Sequence, residues 1–581
     1  MYNNLRITGL ASGMDTEEMI KGLMEAEKVR LNRVEQDKQL LVWKREIYND
    51  LNKDYANFIL KSRKNFGLTT TTSTGAFVSR SYENLTWVKK ATSSDETIAT
   101  VSSTSKAMNG NYEMEVKQLA EGVKAVSGEK VTVENGNNEN LASQFELGND
   151  AIIKFTIETK NGIKTFKFGN VEDADIKKSL NEISLNDVVK TINSAKVKDG
   201  EKEVSLGLKA NYDANIDRFF LQTEDTGVGS KLKISADVDS YGKAFIDALN
   251  LNVNGAKYNI GDEKTGKSAV VNFDGAENII MDSNQFTING IDFNLKSIGA
   301  FTTTIGTDID AFYDKIKQFV DDYNELVEKT SKLLTDKRYG DYKPLTADQK
   351  KAMEKEDIEL WEEKAKSGLL RSDDLLSRTM QNSRTWMYNE VKDVEGSFNR
   401  LFQIGIDTEK YSRGVIGGKL VIDEVKLKDA IRKDPNGVLE LFFKEPEYGK
   451  DKLKGVTSYM SEKDLSGEQI RAKRQQSGVV TRLYDNLISS MQDIIEKSGT
   501  GEDSNIYRNV KSNMLIEFVT KHGSISTIDK DVLQLEKRID DLNDYLIRKE
   551  NSYYSQFAAM EKAISRMNQQ SMWLMQQFSS K

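Results

Sequence analysis

Apolar residues recur at helical spacing toward both ends of the chain and at alternate positions through its middle. From Asp15 to the closing Gly67 there is no proline and a single internal glycine, Gly22. Asp15 followed by Glu18 reads as an N-cap with a capping-box partner, and the acids around it favour a first helical turn. Val34, Leu41, Tyr48 and Tyr55 recur every seven residues, joined three places later by Leu51 and Phe58. That pattern makes an apolar face suited to a coiled-coil seam. Asp37 and Lys44 stand where leucines would complete it, so a partner helix of mixed character is expected rather than a tight two-stranded zipper.

The C-terminal stretch repeats the theme. Ile528, Val532, Leu535, Ile539, Leu542 and Leu546 alternate four and three apart, with Asp, Glu, Lys and Arg between them. After Lys549 the spacing becomes four and four through Tyr553 and Phe557, a stutter that changes the local winding. The stripe resumes at Met560, Ile564 and Met567 and ends near Trp573 and Leu574. A long helix with such a stripe must meet another helix, from its own chain or from a second copy.

Between the ends, a joint of small polar residues (Thr69 to Ala76) leads into alternating strand patterns. Strands are expected at Ile98 to Val101, Tyr112 to Val116, Ile152 to Ile157, Thr165 to Phe168, Phe219 to Leu221, Leu232 to Ile234, Phe286 to Ile288 and Phe293 to Leu295. Asn109-Gly110, Asn161-Gly162, Asp274-Gly275 and Asn289-Gly290 supply turns that take positive φ. One helix, Leu185 to Ala195, interrupts the strands. Helical periodicity returns at Ala311 to Leu334. A second helix is expected to start at the capping box of Thr346 and Gln349 and to stop before Gly368, and a third is capped by Ser372. A hairpin (Ile404 and Ile406 with Leu420 to Ile422) and a helix opening at Asp423 follow. The fold class expected is α+β and multidomain, with long antiparallel terminal helices forming a coiled-coil leg and β-rich head domains inserted between them.

Composition removes most catalytic chemistry. The 581 residues contain no cysteine and one histidine, His522. Disulfides, thiolate metal sites, cysteine nucleophiles and two-histidine zinc sites are therefore excluded. Lys plus Arg total 83 against 91 Asp plus Glu, a formal −8, which offers no general attraction to nucleic acid or anionic lipid. No apolar run reaches the roughly 18 residues of a membrane-spanning helix, so no membrane insertion is expected. The opening MYNNLRITGLASGMD has neither the basic nor the apolar stretch of a cleavable signal.

Three formal motifs remain. GDEKTGKS, Gly261 to Ser268, fits the phosphate-loop spacing, but AVVNFDG follows where a helix is required, and Asp262 and Glu263 would put negative charge inside the loop. A turn between strands is the better reading. Asp213, Asn215, Asp217 and Glu224 fall at calcium-loop positions, yet Arg218 replaces the obligatory glycine and the flanks read as strands, so a hairpin is expected. His522, just after an apolar-patterned helix, reads as a surface residue favoured by the helix dipole. No carboxylate pair stands out among the 91 acids, and neither a cofactor nor a metal is expected.

The outermost pieces, Leu5 to Met24 and Ile564 to Phe578, are poor in charge and rich in Gly, Ser, Gln, Asn and Met. Chain ends are ordered only when docked, and methionine-rich surfaces adapt to neighbours. Leu10, Met14, Ile20, Leu23, Met24, Ile564, Met567, Trp573 and Leu574 are the candidate contacts to other subunits, with ordinary intrachain core as the alternative. Val34, Leu41, Tyr48, Tyr55, Val532, Leu535, Ile539 and Leu542 are the candidate seam.

The segment ITGLASGMDTEEMIKGLMEAEKVRL, Ile7 to Leu31, resembles the start of the flagellar filament-capping family (FliD, hook-associated protein 2). The resemblance continues in KQFVDDYNELVEK (Lys317 to Lys329), in Pro344 to Asp373, in GIDTEKYS (Gly405 to Ser412), in Lys419 to Phe442 and in YYSQFAAMEKAISRMNQQSMWL (Tyr553 to Leu574). Lys124 to Leu249 is only generically similar. The resemblance implies a non-enzymatic structural protein that forms a homo-oligomeric ring at the extracellular tip of the flagellum, exported without a cleaved signal. It also implies as partners flagellin, whose folding and insertion the cap promotes, hook-associated junction proteins and an export chaperone. The domains implied are a leg (1–40 with 545–581), a helical domain with a small hairpin (41–76 with 306–544), a β-rich head (77–123 with 250–305) and an outer β-rich head (124–249). The rival reading is an adhesin whose head binds host mucin or another glycan.

Overall fold

The computed structural model describes residues 15–71, 77–200, 202–253, 255–409, 417–458, 460–500 and 526–579. It is α+β. The chain forms two compact units, one built from its two ends, up to Tyr82 and from Ile309 onward, and the other from Glu83–Asp308. Helix α1 (Thr16–Phe66) runs 51 residues without a break. Asp15 caps it, accepting from Glu18 N at 3.0 Å, and Glu17 and Glu18 face the positive end of the dipole. It ends at Gly67, which adopts φ 72°, a left-handed value glycine takes freely, so that Leu68 N reaches back to Arg63 O.

The unit Glu83–Asp308 holds two separate apolar cores. One lies between a five-stranded antiparallel sheet and a three-stranded sheet. The first runs in the order Ala276–Met281, Ala269–Phe273, Gly110–Gln118, Gly299–Thr307, Lys89–Ser93; the second in the order Gln285–Ile288, Ile291–Leu295, Ala99–Ser103. Tyr112, Met114 and Val116 alternate inward from the long strand to meet Phe273, Phe293 and Phe301. Two-residue hairpins close at Asp274-Gly275 (φ 48° and 87°) and Asn289-Gly290 (φ 52° and 74°), as the sequence anticipates. The other two dipeptides behave differently. Gly162 is the first residue of its strand, facing Thr159, so Lys160-Asn161 makes that turn, and Gly110 opens a strand without positive φ.

The second core collects Phe155, Phe166, Phe168, Phe219, Leu232 and Phe245. Around it lie a five-stranded sheet (Leu208–Asp213, Arg218–Thr223, Lys124–Ser127, Leu251–Val253, Ala256–Lys257) and a four-stranded one (Glu263–Thr265, Lys231–Ser235, Ile153–Thr159, Gly162–Phe168). The short α2 (Leu141–Gln144), α3 (Leu185–Asn193) and α4 (Tyr241–Ala248) belong to this part. Ser184 and Asp187 form a full capping box on α3, whose Leu185, Val188, Val189 and Ile192 are buried.

In the unit of the chain ends, α5 (Ile309–Thr335) lays Phe312, Ile316, Phe319 and Tyr323 against α1, where Phe58 and Phe66 meet Phe319 at centroid distances of 5.8 and 5.5 Å. The single helix expected up to Gly368 is two, α6 (Ala347–Lys351) and α7 (Lys355–Lys366). Folding back lets Lys350 reach Glu362 at 2.6 Å, which twelve residues of continuous helix would hold about 18 Å apart. Trp361 also packs on Tyr342, with centroids 4.6 Å apart. Helix α8 (Asp374–Tyr388) is capped by Asp373 rather than Ser372, since Ser372 sits at φ 55° and turns the chain instead. The expected hairpin pairs Ile406–Thr408 with Leu420–Ile422, and Asp423 caps α9 (Glu424–Lys433). Then come α10 (Pro435–Phe443), α11 (Gly467–Gln476), α12 (Val479–Ser498) and α13 (Thr527–Ser579).

Helix α12 is buried on nearly every face. Its Arg482 is fully buried and donates to four carbonyls, those of Trp386, Asn389, Glu390 and Gln475. The cation thereby satisfies the loose ends of α8 and α11, which would otherwise lie orphaned inside the bundle. Burial lowers the Arg482 guanidinium to about 10, still charged at neutral pH.

Candidate functional site: the paired terminal helices

Helices α1 and α13 lie antiparallel. Arg45 Nη1 meets Asp529 at 2.7 Å, Lys38 Nζ meets Glu536 at 3.4 Å, and Lys549 Nζ meets Glu27 at 3.6 Å, so rising numbers on one helix face falling numbers on the other. Ile20, Met24 and Leu31 of α1 form one apolar cluster with Leu546, flanked by Ile539, Leu542, Tyr545, Tyr553, Tyr554 and Phe557 of α13. The stripes of the two ends therefore cover one another within a single chain.

The seam of α1 follows Ile20, Met24, Glu27, Leu31, Val34, Lys38, Leu41, Arg45, Tyr48, Asn52 and Tyr55, alternating four and three. The second position of each heptad therefore lies four residues after Val34 and Leu41, at Lys38 and Arg45, not three at Asp37 and Lys44. Asp37 points into solvent. Leu51 and Phe58 are buried for a different reason: this end of α1 is enclosed by α5 and α12, where Phe58 meets Tyr323 and Tyr484. Val34 is buried and Leu41 half-buried; on α13, Val532 is buried and Leu535, Ile539 and Leu542 are half-buried.

At Tyr48 the seam passes into the bundle. Tyr48 is fully buried and its hydroxyl donates to Asp373 Oδ2 at 2.5 Å; Lys497 of α12 donates to the same oxygen at 3.1 Å. Asp373 Oδ1 accepts from Leu375 N and Leu376 N at the start of α8. One carboxylate thus joins α1, α8 and α12. Burial pushes the Asp373 carboxyl upward, but the Tyr48 and Lys497 hydrogen bonds and the backbone donor more than offset it, leaving it below the usual range. Burial and the same hydrogen bond push the Tyr48 phenol well up.

The candidate contact residues divide. Ile20 and Met24 are buried within the chain, and Ile564 is half-buried. Leu23 (41% exposed), Met567 (61%), Trp573 (60%) and Leu574 (48%) are open, and Met572, Met575 and Phe578 continue the apolar surface to the end of α13. Leu10 and Met14 lie outside the described residues, as do His522 and the helix expected before it. Trp43, buried on α1 with Lys366 over its ring, lies off this seam, while the charged seam positions Glu27, Lys38 and Arg45 were legible only through the four-residue step.

The formal chemical motifs resolve into turns. Glu263–Thr265 pairs with Lys231 to Lys233, and Ala269–Phe273 is a strand, so no helix N-terminus follows Lys267 and Ser268. Leu208–Asp213 and Arg218–Thr223 form a hairpin whose Asp217 accepts from Thr132 and Tyr212. Among the described residues, no group of three or more His, Cys, Asp or Glu could hold a metal ion, and no helix is long and apolar enough to cross a membrane.

The family described as flagellar hook-associated protein 2 N-terminus matches residues 12–122, and that described as flagellar hook-associated protein 2 C-terminus matches residues 266–569. The flagellar hook-associated protein 2 of Halalkalibacterium halodurans is 30% identical over 597 residues, spanning 99% of this chain and 100% of that one. The protein of the same name from Thermotoga maritima is 25% identical over 72% of this chain and 57% of its own length. The crystal structure of the D1-D2-D3 domains of the flagellar cap protein FliD from Escherichia coli, 18% identical, aligns with 78% of this chain and 96% of that one at a TM-score of 0.45. By its near full-length match to a curated relative and by both family signatures, this chain belongs to the flagellar hook-associated protein 2 family of filament caps.

Proposed function

We propose that this chain caps the distal, extracellular end of a bacterial flagellar filament as one copy in a homo-oligomeric ring, where it promotes the folding and insertion of exported flagellin. Family membership supports the reading, and the observation that carries it is the apolar surface left open along the end of α13, from Met567 to Phe578. Exposed side chains of this size, contiguous and short of charge, mark a surface that another chain covers. Methionines adapt to successive neighbours. A ring seated on a helical filament faces mismatched symmetry, so its contacts must be head-to-tail and individually replaceable. In this reading 1–40 with 545–581 is the leg, with Leu10 and Met14 joining the contact surface; 41–76 with 306–544 is the helical domain, and 77–123 with 250–305 and 124–249 are the two heads. Hook-associated junction proteins and an export chaperone are its further partners.

Deleting Met1 to Met24 tests the assignment. The truncated protein is expected to keep the folded strands of Glu83–Asp308, seen by circular dichroism, while failing to support filament growth in a strain lacking the full-length chain. Filaments of normal length with flagellin retained at the tip would refute the role given to the leg.

A further inference from the structure

We propose that Glu27 fixes the register in which α1 and α13 pair, acting as the seam position whose full set of donors is present in one register only. Glu27 collects three partners from successive turns of α13: the hydroxyls of Tyr545 and Tyr553, each donating at 3.2 Å, and Lys549 Nζ at 3.6 Å. These partners straddle the stutter, where the spacing of α13 changes from three-four to four-four. Three donors converge here because the stutter turns two tyrosines and a lysine, four residues apart, toward one carboxylate.

The other charged pairs cannot do this work. Lys38 and Arg45 are seven residues apart and meet Glu536 and Asp529, also seven apart. Sliding α13 by one heptad in one direction puts Arg45 opposite Glu536. Sliding it in the other puts Lys38 opposite Asp529. Either slide keeps one ion pair and, over Ile528 to Leu546, keeps the apolar ladder in phase, because that stretch repeats every seven residues. The slides bring Glu27 to Ser552, Gln556 and Met560 or to Arg538, Leu542 and Leu546, so three donors including a cation meet it in the observed register alone. In the first slide it loses its cation, and in the second it keeps one cation, Arg538, with its remaining contacts replaced by two leucines. A single polar position within an apolar seam commonly selects one register out of several. The assignment concerns the chain by itself and stands whether or not the protein caps a filament.

The sequence lacks cysteine, so two can be placed at will. Nitroxide labels at Val29→Cys and Ile547→Cys, both more than half exposed and flanking the Glu27 site, report the axial offset by pulsed electron resonance. Labelled full-length chain is diluted into unlabelled chain so that only distances within one molecule are read. With Glu27 present, one narrow distance is expected. Glu27→Leu, which extends the apolar ladder, is expected to add a second population offset by about 10.5 Å along the axis, the rise of one heptad. Arg45→Leu is expected to leave the single distance unchanged. Tyr545→Phe with Tyr553→Phe keeps the packing while removing both donors, and is expected to show the same second population if the leucine variant does not fold. A single unchanged distance in Glu27→Leu and in the double tyrosine variant, or a slide produced by Arg45→Leu alone, would overturn the proposal.

Discussion

Replacing Asp373 by alanine should loosen three helices at once. Its Oδ1 caps α8 through Leu375 N and Leu376 N at 3.1 and 3.2 Å, and its Oδ2 is the acceptor for the buried Tyr48 hydroxyl. Losing the cap costs about 1 kcal/mol. Leaving the phenol without an acceptor in the core adds about 1–3 kcal/mol. Lys497 is a third exposed and can turn to water, so its pairing adds little. The total expected for Asp373→Ala is about 2–4 kcal/mol. Asp373→Asn keeps the cap oxygen and turns an amide N–H toward the Tyr48 oxygen, which can accept it, so it should cost less than Asp373→Ala. Tyr48→Phe in the Asp373→Ala background should cost almost nothing further, because its hydroxyl is by then already unpaired. Urea unfolding followed at 222 nm, where helices dominate the signal, measures each difference. The pH dependence supplies an independent check. Folding holds the Asp373 carboxyl below its unfolded value of about 3.9, so its contribution is fully present above that value and is lost as pH falls through the lower folded value. Asp373→Asn should therefore lose stability less steeply than the parent as acid is added. An alanine variant within about 0.5 kcal/mol of the parent, a change typical of an ordinary surface site, would refute the three-helix account.

Two further outcomes follow from the packing. Glycine to alanine inside a helix ordinarily gains about 1 kcal/mol, but a Cβ on Gly242 of α4 would stand 1.8 Å from the Lys154 carbonyl oxygen, so Gly242→Ala should instead destabilise residues 83–308 by more than about 1–3 kcal/mol, read as a lowered thermal midpoint. Lys473 is buried between Asp485 at 2.8 Å and Glu462 at 3.5 Å, and Lys473→Met should cost about 3–5 kcal/mol by taking the buried cation from Asp485, while Glu462 keeps Arg474, measured by urea denaturation and absent if the cluster is well hydrated.

Much of the architecture is local and could be read from local pattern. The start of α1 at Asp15 and its end at Gly67, the strands around Tyr112 and Phe293, and the hairpins at Asp274-Gly275 and Asn289-Gly290 depend on capping chemistry, alternation and positive φ within a few residues. Helix α12 carries an apolar stripe (Val480, Leu483, Leu487, Met491, Ile494), but its polar face is buried too, with Arg482, Asp485 and Asn486 covered by other elements, which spacing along the chain does not record. The break between α6 and α7 depends on Lys350 meeting Glu362 and Trp361 meeting the Lys343 carbonyl, contacts made only when the chain folds back on itself, which helical spacing does not record.

What the sequence determined by itself was that both ends are long helices with apolar stripes, that a β-rich stretch lies between them, and that thiol and two-histidine metal chemistry are absent. Only the tertiary structure decided which face of α1 meets α13, because a seven-residue repeat is consistent with a second seam position either three or four residues on. Only it decided which stripe residues are covered and which remain open, since Ile20 and Trp573 both stand in apolar stripes but, among the described residues, Ile20 is buried against the partner helix while Trp573 is 60% exposed. Burial is a property of pairs of segments some five hundred residues apart, and helical periodicity names the face that needs a partner without naming the partner.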